Sequence, residues 1–376
     1  MKSDIKVLTI LGTRPEIIKL SRTISLLDKF VNHIIVHTGQ NYDYELNQIF
    51  FEDLGLRKPN HFLNVAEDSL GATIANIIKK SDEIFEIEQP DALLVLGDTN
   101  SCLSTIMAKR RKIPIFHMEA GNRCFDVRVP EEINRKLVDH ISDINFPYSE
   151  HGKNNLLNEG LHPSCIIKTG SPMKEILEYS KKSINSSKIL TKLKLSKQKY
   201  FVTSIHREEN VDNPKKLNQI IESLNGILKK HDLKMILSLH PRTKQKIADQ
   251  KIKLHKNIIE YLPFGFHDYI HLQKNSYCVI SDSGTIFEES SILGFPAITI
   301  REANERPEGI DEGTVIMCNG LNKNDILKSI DICVSQYKNS PPTIPSDYNV
   351  KQVSWKVLKT ILSYREYIDK KVWFKN

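Results

Sequence analysis

The sequence predicts an α/β protein of two Rossmann-like, doubly wound domains in tandem, and three observations predict it. Its 376 residues suffice for two domains of about 100–200 residues each. Short runs rich in Val, Ile and Leu alternate with amphipathic stretches, the pattern of a parallel sheet covered by helices on both faces. The pattern occurs twice, on either side of a polar, Ser- and Lys-rich stretch, YSKKSINSSKILTKLKLSKQ, which reads as a surface connection.

In the first half strands are expected near 5–11, 33–38, 92–97, 113–118, 143–147 and 165–169, with helices over 15–27, 69–86 and 131–140. In the second half strands are expected near 200–205, 234–239, 277–281 and 296–300. Asn213 and Pro214 read as the cap and first residue of a helix over 214–230. The expected domains are 1–170 and 171–355, with a helical segment over 356–376 able to pack back on the first. Two such domains face each other through the carboxyl ends of their strands, so a ligand is expected in the cleft between them.

Apolar content of 40% and charged content of 26% are those of a soluble globular enzyme. The net charge of +7 is spread along the chain, which suits an anionic ligand and argues against nucleic acid. Six cysteines lie far apart without a C-x-x-C pair or clustered His, so neither a metal site nor a disulfide framework is expected. MKSDIKVLTILGTRPE has too short an apolar run for a signal peptide, and no stretch approaches the ~20 residues of a membrane span. The expected compartment is the cytoplasm.

Charged and Gly-rich clusters fall at the carboxyl ends of the expected strands. GTRPEIIK follows the first, with Gly12 for a tight turn, Pro15 in the first helical turn and Arg14 beside the helix start, a suitable seat for phosphate. LGDTNSCL puts Asp98 just past another strand, followed by Thr99 and Asn100, either of which can cap a helix. The stretch FHMEAGNRCFDVRVPEEINRKLVDH is denser still. It carries Glu119, Arg123, Asp126, Arg128, Glu131, Glu132 and Arg135 around one Ala-Gly turn. In the second half SIHREEN places His206 and Arg207 at a strand end. SDSGTIFEES offers Ser283, Gly284 and Thr285 at a helix start, a seat for a diphosphate. One of Glu288 and Glu289 is placed to hold ribose hydroxyls, unless the pair serves a capping box.

In the order GTRPEIIK, LGDTNS, HMEAGNR, PEEINR, HREEN, SDSGTIFEE and RPEGIDEGT, these motifs resemble the non-hydrolysing UDP-N-acetylglucosamine 2-epimerases from residue 7 to about 317. The sequence has EAGNRCFDVRVPEEINR where that family usually has EAGLR and a longer link, HREEN for HRREN, and SDSGT for DSGG. Those departures look like the branch that makes UDP-N-acetyl-L-fucosamine from UDP-2-acetamido-2,6-dideoxy-L-talose for capsule or O-antigen.

The resemblance implies a GT-B-like fold, a homodimer, a UDP-2-acetamido sugar as partner, and no cofactor. It implies elimination of UDP to a 2-acetamidoglycal followed by re-addition, which needs acid/base groups on both faces of C2. Asp98, Glu119 and Glu131 supply carboxylates for that task, without an assignment of which removes the proton and which returns it. Arg123 and Arg135 offset their charge and are expected among the substrate-binding residues. His206, Arg207, Ser283, Gly284, Thr285 and Arg14 stabilise the departing diphosphate, and His206 is placed to protonate it. By resemblance Lys19, Phe264, Tyr269, Glu289 and Arg306 complete the nucleotide site. Alternatives are an epimerase of the UDP-N-acetylglucosamine/UDP-N-acetylmannosamine pair, a hydrolysing 2-epimerase, a glycosyltransferase and a non-catalytic UDP-sugar sensor.

Overall fold

The structure, a computed structural model, describes residues 3–39, 44–318 and 321–375. The chain forms two compact units, residues 1–179 with 346–376, and residues 180–345. No described helix is long and apolar enough to cross a membrane.

The first unit holds β1 (Ser3–Leu11), β2 (Val31–His37), β3 (His61–Phe62), β4 (Ala92–Leu96), β5 (Ile115–Met118) and β6 (Ile144–Phe146). They form one parallel sheet in the order β3-β2-β1-β4-β5-β6. All five residues of β4 are buried, as a central strand covered on both faces requires. Helix Arg14–Phe30 buries Ile17, Leu20, Ile24 and Leu27, a stripe at helical spacing. Helix Leu70–Glu88 starts at Ser69, whose hydroxyl accepts from Ala72 N at 3.1 Å, and stops where Gln89 turns left-handed at φ 46°.

The second unit repeats the plan with β7 (Tyr200–Ile205), β8 (Lys234–Leu239), β9 (Ile258–Tyr261), β10 (Cys278–Ser281), β11 (Ala297–Thr299) and β12 (Val315–Met317). Their order is β12-β11-β10-β7-β8-β9, all parallel. Alternate residues feed two cores: Phe201, Met235 and Leu237 on one face, Val202, Ile236 and Val279 on the other. Helix Pro214–His231 is capped by Asn213, which accepts from Lys215 N and Lys216 N.

In both sheets the order of strand addition reverses at the middle, between β1 and β4 and between β7 and β10. In doubly wound sheets the crevice beyond these strand ends is where ligands bind.

Several expectations need correction. Residues 165–169 form no strand; Ile166 makes one isolated bridge to Asn145, after the short turn Pro163–Cys165. The Ser- and Lys-rich connection is largely helical, in helices Met173–Ser186 and Ile189–Lys192. The first of these helices starts before the stretch, and Met173, Ile176, Leu177 and Ile184 supply its buried stripe. The short strands β3, β9 and β12 went unread because they lie at or near sheet edges and are half exposed. The units meet after Tyr179 and again before Ser346, where the sequence reading divides the chain at 170 and 355. Helix Met173–Ser186 spans the first of these junctions.

Candidate active site

At the switch point of the first unit, β1 ends at Leu11 and Gly12 opens the turn into helix Arg14–Phe30. Glu16, on the first turn of that helix, is buried and accepts from Gly12 N at 2.9 Å and Thr13 Oγ1 at 2.8 Å. Its other oxygen accepts from Thr99 Oγ1, at the end of β4, at 3.0 Å. Burial pushes the Glu16 carboxyl up to about 7 against these hydrogen bonds. One turn on, Lys19 Nζ meets Glu119 Oε2 at 2.7 Å, with the two side chains 1% and 8% exposed. The other Glu119 oxygen accepts from Asn122 Nδ2 at 3.4 Å.

Glu119 stands just past β5 in the left-handed region at φ 63°, a conformation that costs a non-glycine residue about 1 kcal/mol or more. The Ala120-Gly121 turn that follows cannot carry a larger side chain. Gly121 has φ 80°, and a Cβ there would sit 2.2 Å from Gly152 O. Asp139 holds the turn from beneath, accepting from Gly121 N at 3.1 Å and pairing with His117 Nδ1 at 2.9 Å. Burial opposes charge on His117, but Asp139 and the Gly97 carbonyl, 2.7 Å from Nε2, hold its pKa above the ordinary value.

This geometry divides the seven charges of the stretch between support and site. Arg123 is a correction: its side chain is fully buried and bonded to Asp139 Oδ2 at 2.7 Å and to both Glu159 oxygens at 2.7 and 2.6 Å. It braces the turn from within and offers no surface to a ligand. Glu132 is buried and accepts from Cys124 N and Phe125 N, fastening the loop to its helix. Asp126 and Arg128 pair with each other at 2.7 Å. Arg135 bridges Asp98 Oδ2 at 2.6 Å and Glu132 Oε2 at 2.8 Å, so it positions Asp98, which stays 25% exposed. Asn134 Nδ2 donates to the Asp98 carbonyl at 3.0 Å. Glu131 lies half-buried on the first turn of helix Pro130–Ile141. Arg14 is half-buried, its guanidinium 6.0 Å from the Phe50 ring centre.

In the second unit a buried carboxylate again pins the switch point. Asp282 accepts from His206 N at 3.0 Å, Arg207 N at 3.0 Å and Asn210 Nδ2 at 3.1 Å, and lies 3.1 Å from His206 Nδ1. Burial raises its pKa, but the His206 charge and these bonds outweigh burial and hold it at about 2. His206 keeps 41% of its side chain exposed. Beside it Ser283 and Thr285 hydroxyls lie 3.0 Å apart at the entry to helix Ile286–Leu293.

Three guanidinium groups converge on Glu305: Arg301 at 2.5 Å, Arg306 at 2.6 Å and Arg207 at 3.8 Å. Burial opposes its charge, yet the three cations hold its carboxyl well below the usual range. Gly284 lies against this cluster, where a Cβ would stand 2.3 Å from an Arg306 nitrogen. Glu289 is buried and accepts from Gln273 Nε2 at 2.8 Å. The Phe264 ring is buried in the core and stacks on Tyr261 at 4.4 Å, while Tyr269 is half-buried against the same cluster.

The first switch point therefore gathers Glu16, Lys19, Asp98, Glu119 and Arg135, and the second gathers His206, Arg207, Ser283, Gly284, Thr285 and Arg306. Sequence reasoning missed Glu16, Asp139, Asp282, Arg301 and Glu305. Glu16 had a signal, since Thr13-x-x-Glu16 has the spacing of a capping box. Asp282 is the second residue of SDSGTIFEES, a motif read for its hydroxyls. Asp139 acts only through contacts distant along the chain, while Arg301 and Glu305 pair locally, four residues apart, in a loop without a helical or strand pattern to mark them.

Two parallel α/β units with ionisable groups at both switch points define a two-domain enzyme of GT-B-like fold. The chain belongs to the UDP-N-acetylglucosamine 2-epimerase family, whose sequence model matches residues 26–362. It is 50% identical to a UDP-N-acetylglucosamine 2-epimerase from Rickettsia bellii, with TM-score 0.92 over 99% of this chain and 100% of that one. The Methanocaldococcus jannaschii UDP-GlcNAc 2-epimerase, solved in complex with UDP-GlcNAc and UDP, is 35% identical with TM-score 0.89, over 96% of this chain and 100% of that one. A UDP-2,3-diacetamido-2,3-dideoxy-D-glucuronate 2-epimerase from Pseudomonas aeruginosa is 35% identical over 317 residues, 83% of this chain and 88% of that protein. The protein is thus an isomerase, a UDP-sugar 2-epimerase.

Proposed function

We propose that the protein inverts C2 of a UDP-2-acetamido sugar by eliminating UDP and adding it back. The observation that carries this reading is the set of carboxylates at the first switch point, Asp98 and Glu119, each held by a cation, with Glu131 on the next helix. One of them removes the C2 proton as the C1–O bond breaks and the electron pair leaves with UDP. The 2-acetamidoglycal then receives a proton on the opposite face of C2, and a diphosphate oxygen re-forms the bond to C1. In the second unit His206, Arg207, Arg306 and the Ser283–Thr285 turn serve the diphosphate, whose developing charge favours fixed donors over water. Lys19 holds Glu119 in its left-handed conformation, and Arg135 holds Asp98. Arg14, Tyr269 and Glu289 complete the nucleotide contacts in this reading, which rests for them on the motif resemblance; the homodimer rests on it too.

The substrate favoured by the stretch Asn122–Arg135 is UDP-2-acetamido-2,6-dideoxy-L-talose, with UDP-N-acetyl-L-fucosamine as product. A second reading, interconversion of UDP-N-acetylglucosamine and UDP-N-acetylmannosamine, is favoured by the names of the relatives. Incubation with each nucleotide sugar and chromatography of the products tests both. The L-talose reading expects a new UDP-linked epimer from that substrate and none from UDP-N-acetylglucosamine; the reverse outcome establishes the second. Release of free sugar and UDP would make the protein a hydrolysing epimerase.

A further inference from the structure

We propose that Glu16 is a positioning residue of the active site, tying the turn that carries Arg14 to the turn that carries Asp98. The inference rests on the reading of Asp98 as an acid/base group and adds the part that fixes it in place.

Two threonines stand at helix entries: Thr13 before helix Arg14–Phe30, and Thr99 before the short 3-10 helix Asn100–Ser104. Both have extended backbones, φ −132° and ψ 159° for Thr13 and φ −68° and ψ 166° for Thr99, which let an N-cap hydroxyl serve its own helix. Neither does so. Both hydroxyls donate to Glu16 instead, at 2.8 and 3.0 Å, and Gly12 N adds a third bond at 2.9 Å. β1 and β4 are neighbours in the sheet, so one side chain spans the crevice where the strand order reverses.

Glu16 is buried and both of its oxygens are taken up by the two turns, so its place is to hold them. Burying a carboxylate among neutral donors is costly, and one plain strand-to-helix turn does not need it. The ionisable groups around it are Asp98 next to Thr99, Arg14 next to Thr13, and the Lys19–Glu119 pair one turn along. Beneath them the buried Cys102 thiol feels the charges of Glu16, Asp98 and Glu119 together. Without the carboxylate both threonines are released to cap their own helices, and Asp98 moves with its neighbour.

The test is steady-state epimerisation on a substrate the wild type turns over. Glu16→Ala is expected to lower kcat about tenfold or more while KM stays within about threefold. Glu16→Gln should restore kcat to within about threefold. Its amide oxygen accepts from Gly12 and Thr13, and its NH2 donates to Thr99 Oγ1. Thr99→Val should match Glu16→Ala, Thr99→Ser should restore activity, and the Glu16→Ala/Thr99→Val double variant should be no slower than either single one. Wild-type kcat in Glu16→Ala, Glu16→Gln as slow as Glu16→Ala, or multiplying losses in the double variant overturns the proposal. If Glu16→Ala does not fold, the Thr99 pair decides alone. A crystal structure of Thr99→Val reports the turns without reference to turnover: a displaced Asp98 supports the proposal and an unmoved one contradicts it. A wild type that epimerises nothing refutes the functional reading, and that structure still decides the role of Glu16.

Discussion

Glu119 and Asp98 show how far single residues can be read. Their position past a strand was legible as a pattern of charge, but Lys19 and Arg135, which hold them, come from other elements and meet them only in space. Asp98→Asn, Glu119→Gln and Glu131→Gln should each cost about 10²–10⁴-fold in turnover, the usual worth of a general acid or base, while calorimetry still detects UDP binding. His206→Ala should weaken both. The two buried carboxylates that pin the switch points respond to pH with opposite sign. The Glu16 carboxyl is raised to about 7 by burial, so the folded protein keeps a proton that the unfolded chain loses above about 4.5. Its stabilising contribution is complete below that pH and is lost as pH rises through about 7. Thermal melts should therefore find Glu16→Gln more stable than wild type above pH 7, by up to about 3 kcal/mol, with the gap closing below pH 4.5. Asp282 is held at about 2, so its contribution is present above about pH 4 and fades as pH falls through 2. Asp282→Asn should cost about 2 kcal/mol at neutral pH and converge with wild type in acid.

At the scale of elements, β7 and β8 were read to their ends because each has six residues, lies inside its sheet and is mostly buried and apolar. The edge strands β9, β12 and β3 have four, three and two residues, runs too short to show a strand period. Helix Met173–Ser186 was hidden for a different reason: its second half falls in the polar stretch read as a connection, and the spacing of its buried residues reveals it. The turns at the two sites depend on glycine in distinct ways. Gly121→Ala pushes a methyl group into the Gly152 carbonyl and forces a left-handed backbone, so the melting temperature should drop by several degrees along with activity. Gly284→Ala puts a Cβ 2.3 Å from the Arg306 guanidinium and 2.8 Å from the buried Glu305 carboxylate, so the ion cluster has to shift. The expected result there is a tenfold or larger loss of UDP affinity, on the order of 1.4 kcal/mol, together with a lower melting temperature.

For the molecule as a whole, the chain crosses to the second unit after Tyr179 and returns at Ser346 to finish on the first. Helix Val353–Lys371 buries Val353, Val357, Leu358 and Ile361, with Trp355 against Phe30 at 5.3 Å, and Ser354 N donates to Glu175 at 3.0 Å. Deleting 346–376 should therefore raise hydrogen exchange throughout the first unit and leave the strands of the second protected. The duplicated topology was legible because each half repeats the same strand and helix rhythm, and the family was legible in its ordered motifs. The substrate was not, since it depends on the fit of side chains around a sugar, which the order of motifs does not describe. The central claim is that carboxylates of this protein remove and return the hydrogen on C2. NMR of the UDP-sugar incubated with enzyme in deuterated water measures that directly: both epimers should carry deuterium at C2 with UDP still attached to C1. A C2 hydrogen that remains protium while the sugar epimerises, or a sugar left unchanged in every candidate, would contradict it.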